Sequence, residues 1–88
     1  MSSPSSEVVL PEHVDLHARP AAQFVRAAMA FSSRIQVAAG DREVDAKSLL
    51  SVLSLGAKGG TTLRLSAEGE DARRAVAELA DLVAGLSE

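Results

Sequence analysis

Pro20 constrains the fold of this chain more than any other residue, because it marks the point where an apolar helical pattern begins. Proline has a fixed φ and no backbone N–H, so it suits the first turn of a helix. The apolar residues around and after it recur at the spacing of one helix face: Ala21, Phe24, Val25, Ala28, Met29 and Phe31. We therefore expect a helix over about residues 18–30, with His17 at or just before its N-cap.

His17 and Arg19 are the candidate site residues beside this helix start. The free N–H groups of a helix N-terminus favour anions, and the arginine guanidinium offers a planar fork of donors that suits phosphate. Both features disfavour the imidazolium, and neutral imidazole has the lone pair that can attack phosphorus. Taken singly, such a histidine is usually a solvated cap and such an arginine is usually a surface residue. Their combination with Pro20 favours a histidine that carries a phosphoryl group.

Composition excludes several other classes of function. The net charge is −3, and two Phe with no Trp or Tyr leave little for base stacking, so we expect no nucleic-acid partner. No cysteine is present, which excludes disulfides and Cys-ligated metal. No apolar run is long enough to span a membrane. We expect a cytoplasmic protein with no membrane insertion and no cofactor, made of a disordered tail over residues 1–6 and one domain over residues 7–88.

His13 is the second histidine of the chain and lies four residues before His17. That spacing binds metal when both residues lie on one face of a helix. Both precede the predicted helix and no third ligand is evident, so we expect no metal site and a solvated His13.

The remaining periodicities predict four strands and two further helices. Strands are expected over about residues 7–12, 34–39, 42–45 and 61–67, and a last helix follows Gly69-Glu70-Asp71. The element order is then βαββαβα, with one apolar face on each strand and one apolar stripe on each helix. A right-handed split βαβ arrangement gives the strand order 1-4-2-3. We predict an α+β open-faced β-sandwich, a four-stranded antiparallel sheet with three helices on one face.

Ser48 begins a short leucine-rich segment between the hairpin and the last strand. Serine is a good N-cap, and Gly56 can end the helix with a positive φ. The apolar residues between them exceed what one buried face needs: Leu49, Leu50, Val52, Leu53 and Leu55. Either all of them are core, or some, with Leu49 and Leu53 as the candidates, form an exposed docking surface.

The segment His17-Ala18-Arg19-Pro20-Ala21, followed by Lys47 to Gly56, resembles the HPr family from about Glu7 to the C-terminus. These are the histidine phosphocarriers of the phosphoenolpyruvate-dependent sugar phosphotransferase system. The resemblance implies an open-faced sandwich and a carrier, not a stand-alone enzyme. It also implies a phosphoryl group on the Nδ1 atom of His17.

The same resemblance implies the partners. Phospho-enzyme I would be the donor, and IIA domains of sugar permeases would be the acceptors of a protein that we expect to be a monomer. Ser48 matches the serine that HPr kinase/phosphorylase modifies in some members. A plain helix cap is the equally weighted alternative for Ser48.

Asp15 is the point where the sequence departs from this family, which usually has glycine before the aliphatic residue that precedes the active histidine. An aspartate tolerates unusual backbone angles less well than glycine, and it brings a negative charge close to His17. One alternative is therefore a specialised carrier that serves dihydroxyacetone kinase or a nitrogen-related phosphotransferase chain. Another is an HPr-like regulatory or binding module with no phosphorylation, which would leave His-Ala-Arg-Pro at a helix start unexplained.

Overall fold

Strands and helices follow one another in the predicted order in the computed structural model, which describes residues 3–87 of the 88-residue chain. The order βαββαβα is confirmed. The elements are β1 (Ser5–Val9), α1 (Ala18–Ala28), β2 (Arg34–Ala39), β3 (Arg42–Asp45), α2 (Leu49–Ser54), β4 (Thr62–Glu68) and α3 (Ala72–Ala84).

The four strands form one antiparallel sheet in the order β1-β4-β2-β3, which confirms the predicted split βαβ topology. Strand β4 is central and pairs with β1 on one side and β2 on the other. In this register Ser66 of β4 lies between Ser5 of β1 and Gln36 of β2, and Gln36 is opposite Asp45 of β3. The last strand in the sequence therefore joins the first strand to the hairpin.

One face of the sheet is buried and the other is open, as the alternation in sequence predicted. Leu63 and Leu65 of β4 and Ile35 and Val37 of β2 are fully buried in the core, whereas Arg64 between the two leucines is exposed. The helices supply the other half of the core with the buried residues Ala21, Phe24, Val25, Ala28, Val52, Ala72, Ala75, Val76, Leu79 and Val83. The strand order leaves β1 and β3 as the two edges of the sheet.

Strand β1 begins at Ser5 and ends at Val9, so it is shifted toward the N-terminus from the predicted span of residues 7–12. The reason is that β4 is seven residues long and offers Ser66 and Leu65 as partners for Ser5 and Ser6. These two serines belong to the tail that the sequence predicts over residues 1–6, and the structure places them in the sheet. Residues 1 and 2 of that tail lie outside the described residues.

Helix α1 ends at Ala28, two residues before the predicted end. Beyond this point the backbone tightens, because Ala30 N–H donates to Ala27 O at 3.1 Å and Phe31 N–H donates to Ala28 O at 3.2 Å. Such three-residue bonds close the last turn of a helix and satisfy its final carbonyls. Phe31 remains buried in the core after the helix has ended.

Asp71 is the N-cap residue of α3, yet its carboxylate makes no hydrogen bond to that helix. It accepts instead from the Ser32 N–H at 2.9 Å, the Ser33 N–H at 3.0 Å and the hydroxyl of Ser33, which is only 1% exposed. The Ser33 hydroxyl, helped by the Ser32 amide, lowers the pKa of Asp71 from its ordinary value of 3.8 to about 2. The carboxylate thus ties the start of β2 to the start of α3.

We expect the protein to lose stability in acid through Asp71. The folded-state pKa of Asp71 lies below its unfolded value, so the ionised carboxylate stabilises the fold above pH 3.8, and this contribution is lost as the pH falls toward 2. Urea unfolding measured between pH 5 and pH 2 should show that the unfolding free energy of wild type declines more steeply than that of Asp71→Asn. The difference should develop as the pH falls from 3.8 to about 2.

The matched control is Asp41→Asn, because Asp41 is exposed in the turn between β2 and β3. It should follow the wild-type profile across the same pH range. Parallel profiles for wild type and Asp71→Asn would contradict the assignment.

Candidate functional site

His17 occupies the N-cap of α1, where the sequence places it. Its backbone is extended, with φ −138° and ψ 173°, and its carbonyl accepts from the Ala21 N–H at 3.5 Å. The imidazole is exposed and makes no capping hydrogen bond. The ring is therefore free to react beside the unpaired N–H groups and positive dipole end of an eleven-residue helix.

Ala18 follows His17 with a φ of +44°, and no other non-glycine residue in 3–87 has a positive φ. An L-residue in this left-handed region costs about 1–2 kcal/mol. Such residues persist only where the surrounding structure holds them, and they concentrate at functional sites. Nothing in the alanine itself signals this conformation, so sequence reasoning missed it.

Arg19 lies in the first turn of α1 and is exposed. Within residues 3–87 its guanidinium makes no side-chain hydrogen bond. It also forms no ion pair there, since the ion pair in that part of the chain joins Arg74 to Glu78. The next residue, Pro20, is buried and fixes the start of the helix against the core. The helix start thus presents an exposed cation whose five donors are available to an anion at His17.

The loop after β1, which carries His17, is held by the loop before β4. Leu10 N–H donates to Thr61 O at 2.9 Å, and Gly60 N–H returns a bond to Leu10 O at 2.9 Å. Nearer the site, Leu16 N–H donates to Ala57 O at 2.8 Å. Leu10 and Leu16 are both fully buried, so the loop is anchored by side chains as well as by backbone.

Asp15 adds a side-chain bond between the same two loops. Its Oδ1 atom accepts from the Gly59 N–H at 2.9 Å. The loops are close enough there that a Cβ on Gly59 would lie 2.0 Å from the Glu12 carbonyl oxygen, which leaves room for no side chain. The charge expected to act on His17 is therefore already engaged by a backbone amide, a partner that sequence reasoning missed.

Ser48 is the N-cap of α2 as predicted, and its hydroxyl accepts from the Ser51 N–H at 3.3 Å. Gly56, after the helix end, has a φ of +59°, as its predicted role requires. A helix of six residues is about 9 Å long, which separates Ser48 from the far end of α2 by that distance. Of the backbone contacts with the His17 loop, the one nearest His17 comes from Ala57, which follows that far end.

The exposed apolar surface of α2 consists of Leu49 and Leu50, which are 42% and 82% exposed. Leu53, one of the two candidate docking residues, is half-buried and packs against the core. The reason is helix geometry: the buried face centres on Val52, and Leu50 lies about 200° around the helix from it. Leu49 is thus the exposed member of the predicted docking pair, and Leu50 is an exposed leucine that the prediction left out, although counting turns from Val52 could have found it.

His13 lies in an exposed turn, away from any helix. Among residues 3–87 no three His, Asp or Glu side chains are grouped so that they could hold a metal ion. None of the helices in that part of the chain is both long and apolar enough to cross a membrane.

The chain matches known proteins over most of its length. A family model described as "PTS HPr component phosphorylation site" matches residues 4–85. The chain is 46% identical to the phosphocarrier protein HPr of Haemophilus influenzae over 79 residues, covering 90% of this chain and 93% of that protein. It is 49% identical to the phosphocarrier protein HPr of Streptomyces coelicolor over 75 residues, which covers 83% of this chain and 81% of the relative.

The fold also superposes on solved structures over nearly all of the chain. The crystal structure of a phosphocarrier protein HPr from Bacillus anthracis superposes with a TM-score of 0.89 at 32% identity, covering 94% of this chain and 99% of the other. A crystal structure of HPr from Thermoanaerobacter tengcongensis gives a TM-score of 0.82 at 36% identity, with 97% and 99% of the two chains covered. Fold and sequence agree, and the chain belongs to the HPr family, the phosphocarriers of the phosphotransferase system.

Proposed function

We propose that this protein accepts one phosphoryl group on Nδ1 of His17 from phospho-enzyme I and passes it to IIA-type domains of sugar permeases. The observation that carries the proposal is the position of His17, an exposed imidazole without a capping bond at the N-terminus of α1. In this proposal the protein acts as a monomer in the cytoplasm, where it would meet these partners. The specialised-carrier alternative rests on Asp15, whose carboxylate is bound to Gly59.

The transfer step needs a nucleophile, charge neutralisation and little else from the protein. The lone pair of the neutral ring nitrogen forms the N–P bond while the bond from phosphorus to the donor breaks and its electron pair stays with the donor. The phosphoryl oxygens would then lie beside the free N–H groups at the start of α1, with Arg19 able to donate a bidentate pair of hydrogen bonds. The reverse sequence delivers the group to the next partner.

Leu49 and Leu50 are proposed as part of the surface on which these partners dock. Two exposed apolar side chains next to each other on one short helix are typical of a surface that contacts another protein. Ser48 is proposed as a regulatory phosphorylation site for HPr kinase/phosphorylase, because it lies directly beside that surface. A phosphate at a helix N-terminus suits the helix dipole and would add negative charge where a partner binds.

The proposal is tested by incubating the protein with phosphoenolpyruvate and enzyme I and measuring intact mass. We expect wild type to gain one phosphoryl group that is lost in acid, and His17→Ala to gain none while remaining folded. His13→Ala is the matched control and should be phosphorylated like wild type. A folded wild-type protein that gains no group would favour the regulatory module, and acid-labile phosphate on His17→Ala would contradict the assignment to His17.

Arg19→Ala should slow transfer from enzyme I at least about tenfold, because a hydrogen bond to a charged group contributes about 1.5–3 kcal/mol. The unfolding free energy should change by less than about 0.5 kcal/mol, since the side chain is exposed. Arg19→Lys should recover part of the rate, because it keeps the charge and loses the fork. Rapid-quench kinetics measure the rate, with Arg26→Ala, an exposed arginine further along α1, as the control. Equal rates for Arg19→Ala and Arg26→Ala would refute the role.

Ser48→Asp should weaken the apparent affinity for enzyme I without loss of thermal stability, because aspartate caps a helix as well as serine does and adds a negative charge. Ser48→Ala separates the two effects: it should lose about 0.5–2 kcal/mol of stability with the cap and keep its affinity. A kinetic titration of enzyme I against each variant provides the measurement. If Ser48→Asp matches wild type in affinity, Ser48 is only a cap.

A further inference from the structure

We infer that Asp15 is a positioning residue for phosphoryl transfer, because its carboxylate clamps the His17 loop onto the loop before β4. The inference rests on the proposed function of His17. The bond from Gly59 N–H to Asp15 Oδ1, at 2.9 Å, joins residues 44 positions apart. The other hydrogen bonds between the two loops described above are backbone to backbone. The clamp is thus the bond there that one side-chain substitution can remove.

Asp15 reaches His17 through the backbone as well. Its carbonyl accepts from the His17 N–H at 2.9 Å, which closes a three-residue turn. Between them, Leu16 is fully buried and its N–H is bound to Ala57 O. One residue therefore bonds to Gly59 with its side chain and to His17 with its main chain, so the position of Gly59 is transmitted directly to the reactive residue.

The backbone beyond His17 needs this support. Ala18 has a φ of +44°, a conformation that an alanine does not hold on its own. Such conformations persist where neighbouring structure over-determines them. On the N-terminal side of His17 that structure includes the Asp15 clamp, and on the C-terminal side it is the buried Pro20.

The alternative role for Asp15 is electrostatic, as a charge that acts on the imidazole of His17. The two roles differ in what asparagine can replace. Asparagine keeps an Oδ1 acceptor for the Gly59 amide and removes the charge, whereas alanine removes both. A positioning role predicts that asparagine retains most of the wild-type behaviour, and an electrostatic role predicts that both variants behave alike.

Misplacement of a reacting group by about 1 Å can slow a reaction by as much as about a hundredfold. We expect Asp15→Ala to slow the first-order transfer step within the complex at least about fivefold, and to leave the apparent KM for enzyme I within about twofold, because the docking leucines are untouched. Asp15→Asn should stay within about threefold of the wild-type rate, since a neutral acceptor binds an amide less strongly than a carboxylate does. Asp41→Ala, which removes an exposed carboxylate from the turn between β2 and β3, should leave both constants unchanged.

Amide hydrogen exchange at Gly59, followed by NMR, reports the clamp without any transfer reaction. Exchange at Gly59 should be at least about tenfold faster in Asp15→Ala than in wild type, and close to wild type in Asp15→Asn. Equal exchange in wild type and Asp15→Ala would show that the clamp does not form and would overturn the inference.

The transfer rates of the Asp15 variants decide between a positioning, a structural and an electrostatic role for this residue. Wild-type transfer by Asp15→Ala, with fast exchange at Gly59, would reduce the bond to a structural one and overturn the positioning role. An equal loss of rate in the alanine and asparagine variants would assign Asp15 an electrostatic role and also overturn it. If the wild type itself accepts no phosphoryl group, the proposed function fails and this inference fails with it. Failure of the inference alone is distinguished by normal transfer in wild type.

Discussion

Hydrogen bonding between the loop after β1 and the loop before β4 is the constraint on which the site depends. It begins where the β1–β4 ladder ends: Val9 is paired with Thr62, and the next residue, Leu10, exchanges bonds with Thr61 and Gly60. The bond from Leu16 to Ala57 continues it to the residue before His17. The reactive histidine is therefore carried by an irregular extension of the sheet, which delivers it to the first turn of a helix that packs on the core.

The parts of the fold that follow local rules were predictable from the sequence. Pro20 marks the start of α1 because proline is compatible with only the first turn, and Ser48 marks the start of α2 because its hydroxyl replaces a missing backbone acceptor. The alternation around Leu63 and Leu65 predicts a strand with one buried face. Given these elements, the handedness of crossover connections leaves few arrangements of the sheet, and the observed order is among them.

Features that depend on contacts between distant segments were not predictable. The carboxylate of Asp71 is at a helix start, where local rules assign it to the helix dipole, and it binds Ser32 and Ser33 instead. Asp15 is bound to Gly59 in the same way, and no periodicity links the two positions. The positive φ of Ala18 is a further example, because alanine as a residue type does not indicate this conformation in the sequence.

The pairing of β1 with β4 has a consequence for the order in which the protein forms during synthesis. Strand β1 emerges from the ribosome before the other strands, yet its partners run from Thr62 to Ser66, in the last strand of the domain. The β2–β3 hairpin and the helices can form from neighbouring residues, whereas β1 must wait for β4, and such distant pairing slows folding. The His17 loop obtains its neighbours at the same late moment. The newly made chain thus acquires its reactive centre only when nearly all of the domain has been translated.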